Sequence, residues 1–198
     1  AVEPPAHNRL VPGSNPGGPT KIKNEGSRGS NRLPFLMGMA LSEMIRILHV
    51  SSPEEMPLAR RLFEEYAASL DIDLCFQDFE RELETLPGGY GPPEGTIIIA
   101  SSGDEPAGCV ALRKIEDRIC EMKRLYVRPD HRGKGVGRAL AEAAIERARV
   151  IGYASVKLDT LQSMTEANAL YVSLGFTECA PYRPNPCECP VYMELSLI

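Results

Sequence analysis

The sequence predicts a mixed fold, α/β of the α+β kind, with one mostly antiparallel sheet and helices packed against it. Three observations carry this. Seven short segments alternate apolar and polar residues, or run apolar between turn residues, which is the signature of strands. Three of them, between Thr96 and Val127, follow one another with only tight turns between, so the centre is a meander and not a doubly wound sheet. Helical periodicity fills the longer intervals, giving the order βααβββαβαββ with no internal repeat.

Met44–Val50 alternates and reads as the first strand. Ser51 or Ser52 can cap a helix opening at Pro53, with Glu54 and Glu55 in its first turn. Met56, Ala59, Phe63, Tyr66 and Leu70 then form one apolar face. A second helix is expected from Asp73 to Leu86, stopped by Pro87-Gly88-Gly89. Strands follow at Thr96–Ser101, Ala107–Ile115 and Ile119–Val127, separated by Ser102–Glu105 and Glu116-Asp117 turns. The next helix runs from Gly135 to Ile151, burying Val136, Leu140, Ala144, Ala148 and Ile151, and Gly152 ends it. Ala154–Thr160 is a strand, Thr165–Leu174 a short helix stopped by Gly175, and Phe176–Ala180 and Val191–Leu197 are the last strands.

The 198 residues divide into two parts. Residues 1–40 hold 6 Pro and 6 Gly, show no apolar period, and carry +3 (Arg9, Lys21, Lys23, Arg28 and Arg32 against Glu3 and Glu25). Such a segment cannot offset its ordering entropy. It reads as a disordered leader or translated upstream sequence, the alternative being a basic targeting or binding arm; a chain begun at Met44 is expected to keep activity and melting temperature. Residues 41–198 form the folded domain and carry the remaining -8 of the total -5. That charge argues against a nucleic-acid binder. No stretch reaches the roughly 18 apolar residues of a membrane span.

The chemistry-bearing segment is YVRPDHRGKGVGRAL, residues 126–140. A strand ends at Val127, Pro129 and Asp130 turn the chain, and Gly133, Gly135 and Gly137 lead into a helix. Glycines let backbone approach a ligand, and a helix start presents free N–H groups and a positive dipole end. With Arg132 and Lys134 alongside, this specifies an anion site, best a pyrophosphate. No GxxxxGK[ST] pattern is present. A GxGxxG fingerprint begins at Gly133, but Arg138 replaces its third glycine, which disfavours a nicotinamide cofactor.

What fits is [QR]xxGx[GA], as Arg132-Gly133-Lys134-Gly135-Val136-Gly137. This resembles the pyrophosphate loop of the GNAT N-acetyltransferase superfamily. The resemblance extends over residues 44–198, through EMKRLYVRPDHRGKGVGRALAEAAIERAR and LDTLQSMTEANALYVSLGFTECAPY, and is nearest the bacterial-type small-molecule branch. It implies the GNAT fold, a mixed sheet with a V-shaped splay, and acetyl-CoA as co-substrate. It also implies backbone pairing of Leu125, Tyr126 and Val127 with the pantetheine arm, one N–H there polarising the thioester carbonyl. The N–H groups from Arg132 to Arg138 should wrap the pyrophosphate. Tyr171 matches the family's frequent general acid for the departing thiolate, although it also suits the buried face of its helix. Glu121 matches a carboxylate that takes the amine proton, directly or through water; its alternation with Lys123 equally fits a solvent-facing pair. The family's asparagine seven residues before the tyrosine is replaced by Met164, so that contact is not carried over to Asn168 and falls to Ser163 if to any residue.

The implied function is acetyl transfer to a primary amine, of a small molecule since no recognition domain is appended, by direct attack in a ternary complex. The alternative is a non-catalytic acyl-CoA-binding module. The acceptor wall is expected from the first two helices, the Pro87–Gly95 loop and the Pro181–Pro190 loop. Homodimerisation through the last strands is common in the family. The six cysteines, with no secretion signal, read as free thiols of a cytoplasmic protein without a metal site. His131 reads as a solvent-facing loop residue, the alternative being a contact with the phosphate loop, and the carboxylates of Glu64-Glu65 and Glu80–Glu84 as a solvated helix face, the alternative being to draw a cationic amine toward the acceptor cleft.

Overall fold

The computed structural model describes residues 44–70, 78–185 and 189–198. The leader assigned to 1–40, Cys75, Cys187 and most of the expected start of the second helix lie outside the described residues.

Strand β1 (Ile45–His49) opens the described chain. Ser52 then forms a capping box with Glu55, whose carboxylate accepts from the Ser51 and Ser52 N–H groups at 2.8 and 3.0 Å. This satisfies donors that a helix start leaves unpaired. One 3-10 turn (Pro53–Glu55) leads into α1 (Met56–Ala68), which buries Ala59, Leu62 and Phe63. Helix α2 (Phe79–Glu84) ends two residues before the expected Leu86. Asp78, which precedes it, has φ 55, and the expected start from Asp73 lies outside the described residues.

Strands β2 (Thr96–Ser102), β3 (Glu105–Glu116) and β4 (Ile119–Val127) form the meander. Helix α3 (Val136–Ile151) begins after Gly135 at φ 84 and stops at Gly152. Then come β5 (Ser155–Leu161), α4 (Thr165–Ser173), the two-residue β6 (Thr177–Glu178) and β7 (Pro190–Ser196). The seven strands lie in the order β1-β2-β3-β4-β5-β7-β6, antiparallel except for β4 beside β5.

Both faces of the sheet are covered, which is why Ile97, Ile98 and Ile99 can be consecutive and all buried. Ile98, Val110, Leu112, Cys120 and Met122 pack against Val136, Leu140, Ala144 and Ala148 of α3. Ile97, Ile99, Cys109 and Ala111 face the other way, against Leu62 and Phe63 of α1 and Tyr90.

Two local features shape the site. Parallel pairing of β4 with β5 holds at Ile119↔Ser155, Cys120↔Val156 and Glu121↔Lys157 and goes no further, while β5 stays paired with β7 along its whole length. The strands therefore part beyond Glu121. On its other edge β4 has a bulge: Ala111 faces Lys123 but Cys109 faces Tyr126, so β4 carries one extra residue, and Arg124 absorbs it with φ 57. Gly108 permits the closure beyond the bulge, since a Cβ there would lie 2.2 Å from the Tyr126 carbonyl oxygen.

Candidate active site

The glycine loop follows β4. Pro129–His131 makes a single 3-10 turn, and the Arg132 N–H donates to Pro129 O at 3.2 Å. The Arg132 amide is thus spent inside the turn, and the free donors begin one residue later than the motif implies. Gly133 (φ 71) has open space around it and Gly135 (φ 84) nearly so. The Val136, Gly137 and Arg138 N–H groups occupy the first turn of α3, where no intrahelical acceptor exists. Gly133 to Arg138, with the exposed Lys134, forms a cradle of loop and helix-start N–H groups fit for a pyrophosphate. The Arg132 side chain donates to Val127 O at 3.1 Å, and Arg138 to Ser173 Oγ at 2.6 Å, bracing α3 against α4.

A cleft of about 380 Å³ lies along the splayed end of β4 and meets the glycine loop at Arg132. Leu125, Tyr126, Val127 and Arg132 form one wall, Ser163 to Ala167 the opposite one, and Tyr66, Ser69 and Leu70 close one side. The Arg128 N–H donates to Ala107 O on β3. Since β backbone groups alternate in direction, those of Tyr126 also face β3, and those of Leu125 and Val127 face the gap. The structure thus brings the three strand residues and Arg132, the first residue of the loop that the motif singled out, into one cleft. Ser163 and Met164 lie on its far wall; Asn168 donates from Nδ2 to Leu161 O at 2.9 Å, tying α4 to the end of β5.

Tyr171 sits on α4 in the core, its ring edge-on to Phe176 at 5.7 Å. Burial, then the nearness of Tyr66 and Asp159, push its phenol well above the usual tyrosine range. It therefore stays protonated, near the residues that border the gap.

Glu121 and Lys123 are not the solvent-facing pair that their alternation also allowed: Glu121 is 0% and Lys123 6% exposed. Glu121 accepts from Arg113 Nε at 2.8 Å and from Tyr182 Oη at 2.8 Å, with Arg113 Nη2 at 2.7 Å and Arg183 Nε at 3.2 Å also on its oxygens. Asp159 on β5 in turn accepts from Arg183 and, at 2.8 Å, from Asn185 Nδ2. This buried charged face lies on the α1 and α2 side of the sheet. The next residue, Arg124, sends its 1% exposed side chain to Glu82 in two parallel hydrogen bonds of 2.7 and 2.9 Å, under the Phe79 ring at 4.9 Å.

Sequence reasoning missed Arg113, Tyr182, Arg183, Asp159 and the Arg124–Glu82 pair. Arg113 was within reach, because a tight Glu116-Asp117 turn sets it opposite Glu121. Tyr182 and Arg183 lie in a segment with no period, and no local signal marks them. The carboxylate runs are not merely solvated: Glu82 holds Arg124, and Glu65 holds Arg128 with bonds of 2.6 and 2.7 Å. His131 is not solvent-facing either, with its side chain 12% exposed and turned toward Glu105. The second half of the Pro87–Gly95 loop lies against Arg147, Val150 and Ile151 at the end of α3, away from the groove. Cys109, Cys120, Cys179 and Cys189 are free thiols, and no metal-ligand cluster occurs among the described residues. No described helix is long and apolar enough to cross a membrane.

Comparison with known proteins gives consistent matches. The profile of the acetyltransferase (GNAT) family matches residues 56–176. An uncharacterized N-acetyltransferase of Schizosaccharomyces pombe is 39% identical over 155 residues, covering 77% of this chain and 95% of the relative. Another, of Dictyostelium discoideum, is 31% identical, covering 69% and 92%. The fold is shared with a Bacillus subtilis acetyltransferase solved in complex with CoA (TM-score 0.58, 22% identity, 78% of this chain and 100% of that one). The relatives include eukaryotic proteins and do not select the bacterial small-molecule branch.

Proposed function

The chain belongs to the GNAT acetyltransferase family and is an N-acetyltransferase, and from that premise we propose that it moves the acetyl group of acetyl-CoA to a primary amine of a small molecule by direct attack. One observation carries the reading: β4 parts from β5 beyond Glu121, and a cleft lined by Leu125, Tyr126 and Val127 on one side and Ser163 to Ala167 on the other reaches the start of the glycine loop at Arg132.

Acetyl-CoA supplies an activated acetyl group as a thioester. The cradle N–H groups bind its pyrophosphate, and the outward backbone groups of Leu125 and the N–H of Val127, whose carbonyl accepts from Arg132, pair with the pantetheine amides in strand fashion. A gap-facing N–H on this stretch takes the oxyanion role expected of it. Tyr171, kept protonated by its burial, gives its proton to the departing sulfur. The amine enters from the α1 and α2 side, where Glu121, Asp159 and Arg183 fix the polar floor. Glu121, matched by the motif to a proton-accepting carboxylate, has both oxygens engaged by strong donors; that favours a positioning role, holding Arg113, Tyr182 and Arg183.

Titration of the protein with acetyl-CoA, then thiol release across a panel of primary amines (an alkylamine, a diamine, an amino acid, an amino sugar), tests this. Binding with turnover of at least one amine is expected. Binding without any turnover would instead indicate an acyl-CoA-binding module, and absence of binding would defeat both.

A further inference from the structure

Arg124 stands where a glycine would be expected. It absorbs the extra residue of the β4 bulge and holds φ 57. A left-handed bulge position ordinarily takes glycine, because a Cβ there crowds the backbone. A larger residue persists in that conformation only where its surroundings fix it. Here they do. Arg124 Nε and Nη2 donate to the two Glu82 oxygens at 2.7 and 2.9 Å. The guanidinium carbon lies 4.9 Å from the centre of the Phe79 ring and 5.7 Å from that of Tyr66. The Cys109 thiol donates to the Arg124 carbonyl at 3.4 Å. The arginine side chain is 1% exposed and that of the glutamate 12%.

This cluster joins three elements around the cleft. Glu82 and Phe79 belong to α2. Tyr66 belongs to α1 and lines the cleft together with Leu125, Tyr126 and Val127. Arg124 directly precedes those three strand residues. A bulge re-aims the backbone that follows it. Because side chains and backbone groups alternate along a strand, a change of conformation at Arg124 changes which groups of Leu125 and Val127 face the gap. An ion pair that merely anchored α2 could start from any residue on this face of β4. This one starts from the residue that sets the strand's course.

We propose that Glu82 is a positioning residue of the acetyl transfer: by clamping Arg124 it locks the left-handed bulge, and so aims the gap-facing N–H groups of Leu125 and Val127 at the thioester carbonyl. This rests on the backbone oxyanion role proposed above. Glu82 does not line the cleft and acts through Arg124. It also balances the buried guanidinium, which two parallel hydrogen bonds hold in one orientation. Donors fixed before the reaction stabilise the charge that grows on the carbonyl oxygen with no reorganisation at the moment of attack. With the clamp gone, the glycine loop still holds the pyrophosphate, but the strand N–H groups spread over several directions. The loss therefore falls on kcat and not on acetyl-CoA affinity.

Acetyl-CoA isotope-labelled at the thioester carbonyl is the probe, its C=O stretch read by infrared difference spectroscopy on the full chain. Bound to the parent, the band should lie below that of free acetyl-CoA, since a donated hydrogen bond weakens the carbonyl bond. In Glu82→Gln the band should return toward the free position, and kcat in the thiol-release assay should fall roughly tenfold or more, with acetyl-CoA affinity within about threefold. Two double variants separate aiming from anchoring. Glu82→Gln with Arg124→Gly, and Glu82→Gln with Arg124→Ala, both abolish the ion pair and strand no charge. They differ by a single Cβ, and glycine adopts the left-handed backbone without the steric cost that alanine meets. The glycine double variant should therefore keep more of the carbonyl shift, and a kcat several-fold above that of the alanine one. These two carry the comparison if Glu82→Gln melts far below the parent. A band at the parent position in every variant, or equal kcat in the two double variants, would make the pair a plain anchor of α2 and overturn the proposal. A parent band equal to that of free acetyl-CoA, with turnover intact, would remove the backbone oxyanion role and the positioning role with it, leaving the acetylation itself standing.

Discussion

Tyr182 donates its hydroxyl to Glu121 Oε1 at 2.8 Å, joining the segment before β7 to the centre of the sheet across 61 residues of sequence. With Arg183 on the same oxygen and on Asp159, this segment closes over the charged face from above. Tyr182→Phe removes one donor but leaves Arg113 and Arg183 in place. The expected cost is about 1–2 kcal/mol, or a melting temperature lower by roughly 2–5 °C. Because the segment borders the amine side, KM for the amine should rise several-fold while acetyl-CoA affinity stays within about twofold. Equal loss of both affinities would show that Tyr182 supports the whole sheet and not the acceptor side.

Tyr171→Phe separates packing from proton donation. The ring contact with Phe176 is preserved and only the hydroxyl goes. Melting temperature and acetyl-CoA affinity are expected to change little, while kcat drops roughly 10²-fold, the lower range for loss of a positioned acid. Turnover equal to the parent at every pH would reduce Tyr171 to a core residue.

Much of the architecture was legible because period and punctuation agree locally. The Gly135 and Gly152 boundaries of α3 and the Glu116-Asp117 turn follow from glycine and turn chemistry, and the splay followed from the motif's family resemblance. The end of α2 at Glu84 did not follow, because Pro87-Gly88-Gly89 marks where a helix must have stopped and not where its last turn closes. Site residues divide along the same line. In the proposed site the loop and Leu125 to Val127 are a contiguous segment whose part is played by backbone, so a motif could single them out. The charged face is assembled from β3, β4, β5 and the segment before β7, and its pairings exist only once the sheet has formed. Burial of Glu121 and Lys123 was hidden for that reason: alternation marks a shared face but not what covers it.

Gly135→Asp tests the cradle. At φ 84 a side chain is strained, and a carboxylate at the helix start would meet the phosphate charge. The space around Gly135 is nearly open, its closest neighbour being Ile45 Cδ1 at 4.0 Å, so the fold should survive. Acetyl-CoA affinity is expected to fall by about 10²-fold or more in calorimetric titration, with far-UV circular dichroism unchanged. Normal binding would remove the pyrophosphate assignment from this loop.

The Glu65–Arg128 pair predicts a pH-dependent strength for the contact of α1 with the end of β4. Arg128 donates to both Glu65 oxygens and also to Pro106 O at 2.8 Å. Its hydrogen bonds hold the Glu65 carboxyl below the usual glutamate range. A carboxyl lowered by folding adds stability that is fully present above its unfolded pKa, about 4.3, and lost as pH falls through the lowered folded value. Both side chains are partly exposed, 25% and 31%, so solvent screening limits the contribution to about 1 kcal/mol. Parent and Glu65→Gln should therefore differ in melting temperature by roughly 2–4 °C at pH 7. The gap should narrow steadily below about pH 4, as protonation gives the parent the same neutral group. A gap that stays constant into acid would mean that the glutamine is felt through packing and not through loss of the carboxylate.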